Sequence, residues 1–153
     1  MASEKDQAER ARWMAALNRA DLARLEAAWA DLAPPPAHRW LRRAETGLVM
    51  VRGRAGGTGQ PFNLGEMTMT RATVVVEGEP PLIGSGYVAG RAARHAELAA
   101  LFDALLQDDA RRRALLAAVI APVEEAAAAA LLARSAAVAA TRVDFTTMVR
   151  GDD

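Results

Sequence analysis

The sequence predicts an α+β domain in which an antiparallel sheet of about four strands is flanked by an N-terminal helix pair and by C-terminal helices. Apolar residues recur at helical spacing ahead of three consecutive prolines at residues 34–36. Residues 66–77 then have the composition and length of a strand whose side chains divide between two faces. Alanine and leucine dominate residues 91–140 and favour helices. The 153 residues suffice for one domain, 1–153, with its own core.

The helix pair is predicted over residues 6–32. Trp13, Met14 and Leu17 share one helical face. Asp21 is a favourable N-cap for the second helix. The prolines that follow should end this helix, because proline has no N–H to donate to the helical ladder.

The β-layer is predicted over residues 43–90. Leu48–Val51 is an apolar run of strand length, which we expect to be covered on both faces. The glycines from Gly53 to Gly59 predict a loop. A long strand should follow over Glu66–Glu77, and its residues divide between two faces. The first face carries Thr68, Thr70, Ala72, Val74 and Val76.

A further strand is predicted over Leu82–Ala89. It contains Gly84 and Gly86, and glycine inside a strand indicates a bulge or a close backbone approach. The short connections between successive strands favour antiparallel pairing.

Helices are predicted over residues 91–140. Asp108 and Asp109 can cap a helix that follows them. Pro122 fits the first turn of another helix, so we expect a break before it. Residues 141–153 are predicted to form an extended tail.

Composition narrows the classes of function. The chain has no cysteine, which excludes disulfides and thiolate metal sites. The start of the chain lacks the pattern of a signal peptide, and uncharged apolar stretches fall short of the roughly 18 residues of a membrane span. We therefore expect a cytoplasmic protein without a membrane partner. Residues 38–94 carry eight arginines and four glutamates, so this part should attract anions or acidic partners.

The glycine-rich segment Arg52–Gly59 is a candidate anion site, because glycines can expose successive N–H groups and arginine pairs well with phosphate. It lacks the Lys-Ser/Thr ending of a P-loop, and it leads into a strand rather than a helix, unlike a dinucleotide fingerprint. The alternative is a hairpin connection with solvated arginines. The candidate anion contacts are Arg52, Arg54, Gly57, Thr58, Arg71 and Arg91.

Catalytic and metal-binding residues are not predicted. His95 and Glu97 have the spacing of a zinc deaminase motif, but that chemistry also needs cysteine ligands. We expect His95 to be a packing or surface residue rather than a phosphate ligand beside Arg91 and Arg94. The three serines lie outside any nucleophile-elbow context. Nucleic-acid binding is not expected, since no aromatic residues interleave a basic platform.

The tail mixes apolar and charged residues densely, and it is a candidate interface with another chain. The equally weighted alternative is that it docks on the sheet of its own domain. The candidate interface residues are Arg142, Phe145, Met148 and Arg150.

Several strings of residues resemble the PhnG family, a subunit of the bacterial carbon–phosphorus lyase core complex. They are Arg12–Met14, Arg43–Arg54 (RAETGLVMVRGR), Gly56–Gly59, Phe62–Arg71 (FNLGEMTMTR), Gly86–Arg91 (GYVAGR), His95–Leu98 and Ala140–Gly151 (ATRVDFTTMVRG). Their order and spacing span nearly the whole chain.

This resemblance implies a subunit without a firmly placed catalytic residue. It implies action with partner subunits I, H and J and with the L protein. In that assembly adenine of ATP is replaced by an alkylphosphonate such as methylphosphonate, giving ribose 1-methylphosphonate 5-triphosphate. ATP is then a substrate of the complex and not a cofactor of this chain. The alternative is an autonomous anion- or nucleotide-binding module without catalysis.

Overall fold

The computed structural model describes residues 4–32 and 34–141. Within these residues, two helices precede a three-stranded sheet, and the remaining helices follow it. The elements are α1 (Glu4–Arg19), α2 (Leu22–Ala30), β1 (His38–Arg54), a 3₁₀ turn (Ala55–Gly57), β2 (Pro61–Val76), β3 (Leu82–Ala89), α3 (Ala93–Leu106), α4 (Asp109–Leu115), a π-helical segment (Leu116–Ile120) and α5 (Ala121–Ala140).

The sheet is antiparallel with strand order β1-β2-β3, so the predicted α+β class is confirmed. The described residues form three strands where about four were predicted. Strand β1 has 17 residues and begins at His38, whereas the prediction placed only Leu48–Val51 in a strand and began the β-layer at residue 43. Its first half was missed because it is an edge strand rich in arginine, and the apolar pattern of a half-buried strand is therefore interrupted.

The helix pair and its caps follow the sequence pattern. Trp13 and Leu17 are buried in α1, and Met14 packs at the edge of the core. The Asp21 carboxylate accepts a hydrogen bond of 3.1 Å from the N–H of Ala23 at the start of α2. The Asp108 carboxylate likewise accepts one of 2.9 Å from the N–H of Ala110 at the start of α4.

The core lies between α3 and one face of the sheet. The face of β2 that carries Thr70, Ala72, Val74 and Val76 is the inner one, since the first three of these residues are fully buried and Val76 almost so. Thr68 on the same face is only partly buried. Helix α3 supplies ten buried residues to the same core. This helix covers β3 and the half of β2 that pairs with β3, from Met69 to Val76.

Backbone meets backbone where α3 crosses β3. A Cβ atom added to Gly84 would lie 2.0 Å from the Ala100 carbonyl oxygen, and one added to Gly86 would lie 2.1 Å from that of Ala96. Real side chains do not tolerate such distances, so only glycine fits at both positions. The close approach that the two glycines predicted is confirmed.

The apolar run Leu48–Val51 is not covered on both faces, and this expectation was wrong. Leu48 is 64% exposed and Met50 is 50% exposed. The run lies beyond the last β2–β3 pair, Met69 with Ala89, where the β1–β2 hairpin continues as two strands without β3. The apolar side chains of Leu48–Val51 therefore belong to an exposed surface and not to a strand of the core.

The last helices form one continuous helix, Asp109–Ala140, so the break expected before Pro122 does not occur. The π-helical segment Leu116–Ile120 immediately precedes α5, and Pro122 lies in its first turn. A wider π turn changes the hydrogen-bond pattern locally, which lets the helix accept a residue without an N–H.

By length and composition this helix is long and apolar enough to cross a membrane, contrary to the expectation from uncharged stretches alone. Core helices of soluble proteins meet the same criterion. Every 18-residue window within Asp109–Ala140 contains both Glu124 and Glu125. The Glu124 carboxylate accepts a hydrogen bond of 2.6 Å from Nε of Arg12 in α1, which ties the start of α5 to the body of the domain.

Replacing Gly86 by alanine should lower the free energy of unfolding by about 3 kcal/mol or more, because the new methyl group overlaps the α3 backbone. Gly47→Ala is the matched control: it lies in β1 of the same sheet, and its added Cβ would meet nothing within 4 Å. Urea unfolding followed by circular dichroism compares the two variants. Equal stability of both would contradict the contact between α3 and β3.

Candidate functional surface

The glycine-rich segment forms the tight end of the β1–β2 hairpin. Gly56 and Gly57 have positive φ values of 60° and 81°, which lets the chain reverse within a few residues. The N–H groups of Thr58 and Gly59 both donate to the Ala55 carbonyl oxygen. These two amides are therefore used inside the turn and do not point to an anion, which disfavours an anion-binding nest at this position.

The arginines of this segment lie on the exposed surface of β1. Arg54 donates from Nη1 to the Gly59 carbonyl oxygen at 3.1 Å and so braces the turn. Arg52 is exposed and pairs in register with Asn63. Among the described residues, neither arginine forms an ion pair with a carboxylate. Both guanidinium groups remain available to an acidic partner.

Arg71 lies elsewhere, on the outer face of the sheet, in register with Glu45 and Tyr87. Its Nε donates to Oε1 of Glu45 at 2.7 Å, and Arg42 also donates to that carboxylate. The hydrogen bond from Arg71, which has the larger effect, and the one from Arg42 hold the pKa of Glu45 below its usual range. Glu45 and Arg71 border an open depression of about 400 Å³. Arg71 is thus already neutralised within the chain.

Arg91 lies in the connection between β3 and α3, and His95 lies in the first turn of α3. Arg91 is exposed, whereas His95 is partly buried. The Nε2 of His95 lies 2.7 Å from the Leu17 carbonyl oxygen, so this nitrogen donates a hydrogen bond that joins α3 to α1. The packing role predicted for His95 is confirmed.

The six predicted anion contacts do not converge on one site. Arg52, Arg54, Gly57 and Thr58 lie at the hairpin end, whereas Arg71 pairs with Glu45, seven residues before Arg52 along β1. At about 3.3 Å per strand residue this separates their positions by roughly 20 Å. Arg91 lies at a third position. Contact of any of them with a ligand stays a prediction.

Asp103 is a buried charge that the sequence analysis missed. Its carboxylate in α3 is fully buried and accepts four hydrogen bonds. Arg10 donates from Nε to Oδ1 at 3.1 Å and from Nη2 to Oδ2 at 2.7 Å. Trp13 Nε1 donates to Oδ1 at 2.9 Å, and the N–H of Ser85 donates to Oδ2 at 2.9 Å. A lone aspartate within the otherwise apolar stretch Leu98–Leu106 was the available signal.

This network makes Asp103 a structural clamp between α1, α3 and β3. Every acceptor position is occupied by a donor of the chain itself, so the carboxylate is not free to act as a base. Of the residues that the structure describes, no group of three or more histidines and carboxylates is arranged to hold a metal ion.

Residues 47–67, the part of the β1–β2 hairpin beyond β3, are here called the hairpin arm. They expose apolar side chains that would be buried in a core strand. The exposed large apolar residues of the arm are Leu48, Val49, Met50, Phe62 and Leu64.

The second half of α5 also presents apolar residues to solvent. Leu131 is 66% and Leu132 72% exposed, and every residue from 128 to 141 is exposed. Arg134 is the single charged residue between Ala126 and Ala140. A helix that is apolar around most of its circumference is normally buried, so this segment has the character of an element that packs against other protein.

The candidate interface residues Arg142, Phe145, Met148 and Arg150 lie outside the described residues.

The described part of the chain defines a class of protein: a small α+β domain whose buried charge is structural and whose unusual surfaces are two apolar extensions. This is the class of a subunit that binds other chains.

The comparison with known proteins specifies that class. The family model "Phosphonate metabolism protein PhnG" matches residues 8–151. The chain is 46% identical over 147 residues to the alpha-D-ribose 1-methylphosphonate 5-triphosphate synthase subunit PhnG of Rhizobium meliloti (strain 1021), covering 95% of this chain and 92% of that protein. The chain belongs to the PhnG family of phosphonate metabolism proteins. The resemblance that the sequence strings predicted is confirmed.

Replacing Asp103 by asparagine should destabilise the domain by about 3 kcal/mol, because it removes the charge that pairs with Arg10 in a buried site. Asp109→Asn is a matched control, since that carboxylate is exposed in an ion pair with Arg112 and should contribute less than about 1 kcal/mol. Thermal and urea unfolding measure both effects. A loss no larger in Asp103→Asn than in the control would show that Asp103 does not clamp the three elements.

Proposed function

We propose that this chain is a subunit of a ribose 1-methylphosphonate 5-triphosphate synthase and acts in phosphonate catabolism. The observation that carries the proposal is the match to such a subunit, 46% identical along 95% of the chain. The complex displaces adenine from ATP by methylphosphonate, with ATP and an alkylphosphonate as its substrates. This chain acts in the cytoplasm beside subunits I, H and J and the L protein.

The role of the chain in this complex is structural support rather than catalysis. The described residues contain a buried carboxylate that is fully engaged and arginines that are spread over three places. They also contain two extensions, the hairpin arm and the second half of α5, with exposed apolar side chains. Exposed apolar surface of this extent is typical of a chain that is completed by its partners.

The helix α5 is best explained by burial against protein. Its two central glutamates would be costly in a bilayer, where a charged side chain at the centre of a span costs about 3 kcal/mol. Glu124 is instead held by Arg12, and the hydrogen bond from Arg12 lowers the pKa of Glu124. Leucine and alanine beyond this anchor provide a surface on which a helix of another subunit can pack closely.

The tail extends the same role. Residues Arg142, Phe145, Met148 and Arg150 follow the exposed end of α5 directly, so an interface on α5 continues naturally into them. In this proposal Phe145 and Met148 are anchors and the arginines pair with carboxylates of a partner. A chain that ends at Ala140 and still co-purifies fully with the other subunits would refute this role.

The alternative function is an autonomous module that binds an anion or a nucleotide. The cationic end of the hairpin arm is the feature that would favour it. Two amides of that turn are already bound within the chain, and Arg71 is paired with Glu45. Calorimetric titration of the isolated chain with ATP distinguishes the two functions, since the subunit role predicts no binding without partners.

Omitting this chain from a reconstituted synthase should lower the rate of product formation by at least about tenfold. The reason is that a partner subunit whose interface is empty loses the stabilisation that binding of this chain gives to its folded state. The assay follows adenine release from ATP in the presence of methylphosphonate and the L protein. Subunits I, H and J are purified with and without this chain. As a control, the Asp109→Asn variant of this chain is added to subunits I, H and J in place of the unmodified chain. It should restore the full rate.

An equal rate with and without the chain would contradict the proposed function. ATP binding by the isolated chain, together with an unchanged synthase rate, would establish the autonomous module in its place.

A further inference from the structure

One face of the sheet continues from the core onto the hairpin arm. Thr46 and Thr70 lie on the face that α3 covers, and their Oγ1 atoms are 3.0 Å apart. The Thr70 hydroxyl also donates to the Gly90 carbonyl oxygen and accepts from the N–H of Ala92, just before α3 begins. The cover that α3 provides therefore ends at this pair of threonines.

Beyond Thr46 the same face of β1 is uncovered. Side chains alternate along a strand, so every second residue after Thr46 points to this face. The register shift after Val51 skips Leu64 in β2 and leaves the alternation of β1 intact. The residues on the uncovered face are Leu48, Met50, Arg52 and Arg54, here called the arm stripe.

The arm stripe is amphipathic along its length. Leu48 and Met50, nearest to α3, are exposed apolar residues, and Arg52 and Arg54, nearest to the turn, are exposed cations. Glu66 lies opposite Met50 and adds one acidic group to the same face. The opposite face of the arm carries no arginine of β1: Gly47, Val49, Val51 and Gly53 lie there, with Phe62 against the position of Gly53.

We infer that the arm stripe is the docking surface for an α-helix of a partner subunit, which presents apolar side chains to Leu48 and Met50 and carboxylates to Arg52 and Arg54. This inference rests on the proposed function and specifies one of its interfaces.

Two observations favour, as the occupant, a helix that carries apolar residues in one part and carboxylates in another. The same sheet face is already covered by a helix, α3, up to the point where the stripe begins, so a second helix would extend an existing packing layer. The stripe spans roughly 20 Å at strand spacing, which corresponds to about 13 residues of helix. Charge complementarity then places carboxylates beside the two arginines, which have no carboxylate partner of their own in the described chain.

The test is co-purification of the tagged full chain with co-expressed subunits I, H and J. One variant, Leu48→Asp/Met50→Asp, changes the apolar half of the stripe, and another, Arg52→Glu/Arg54→Glu, reverses the charges of the other half. Each should reduce the recovered partner at least tenfold, since a few central anchors carry most of the binding energy of an interface. All four side chains are exposed, and the hydrogen bond that Arg54→Glu removes lies within the hairpin turn, away from the core, so circular dichroism should show an unchanged fold.

Matched controls lie on the same strand. Val49→Asp places a charge on the opposite face of the arm, and Arg39→Glu/Arg43→Glu reverses two exposed arginines of β1 outside the arm. Both control variants should recover the partners as the unmodified chain does. Loss of recovery that is equal in the stripe variants and the controls would overturn the assignment to this face.

The remaining outcomes separate the inference from the proposed function. If the unmodified chain recovers its partners and the stripe variants do so equally well, the inference is wrong and the proposed function stands. If light scattering shows that the stripe variants lose self-association while keeping their partners, the occupant is a second copy and the inference is overturned. If the unmodified chain recovers none of the subunits, the proposed function fails, and the inference fails with it.

Discussion

The contact between the backbone of α3 and the backbone of β3 determines where every other element lies. Gly84 and Gly86 have no side chains, and the α3 residues above them are Ala96, Ala100 and Ala104. The helix axis therefore lies closer to the sheet than larger side chains would allow. Because the two backbones are in contact, α3 cannot shift easily along β3. This depth brings the Asp103 carboxylate within hydrogen-bond distance of the Ser85 N–H. The remaining acceptor positions of Asp103 then bind Arg10 and Trp13, and α1 is held against both elements.

The length of α3 explains why the protein carries uncovered surfaces. Its 14 residues span roughly 21 Å, whereas the 17 residues of β1 extend roughly 56 Å. One helix of this length covers less than half of the hairpin. The hairpin arm therefore projects beyond the core with its apolar residues exposed, and α5 does the same beyond its anchor at Glu124. Both extensions are consistent with a domain whose burial of apolar surface is completed only in a complex.

Sequence patterns predicted the elements whose cause is local. The alternation in β2, the caps Asp21 and Asp108 and the glycine pair in β3 each depend on neighbouring residues, and each was recognised. The failures concerned features that no short sequence pattern shows. Leu48–Val51 has the composition of a buried strand, and its exposure follows from where β3 and α3 end. Pro122 signals a helix start, but the preceding π-helical segment lets the helix continue.

The candidate site divides in the same way. The sequence supplied the arginines, but it could not show that Arg71 is neutralised by Glu45 or that the turn amides are bound internally, because both partners are set by strand register. Asp103 was missed since its four hydrogen bonds come from α1 and β3, two elements that are far apart in sequence. Family membership, by contrast, depends on the order of short strings along the chain and was predictable without any structure.

Hydrogen–deuterium exchange of the chain alone and within the purified complex tests the central claim most directly. Amides of α3 and β3 should exchange slowly in both states, because their contact is complete within the chain. Amides at the outer edge of the hairpin arm and in the second half of α5 should exchange rapidly in the isolated chain and become protected in the complex. Protection of the arm in the isolated chain, or rapid exchange of both extensions in the complex, would contradict the account.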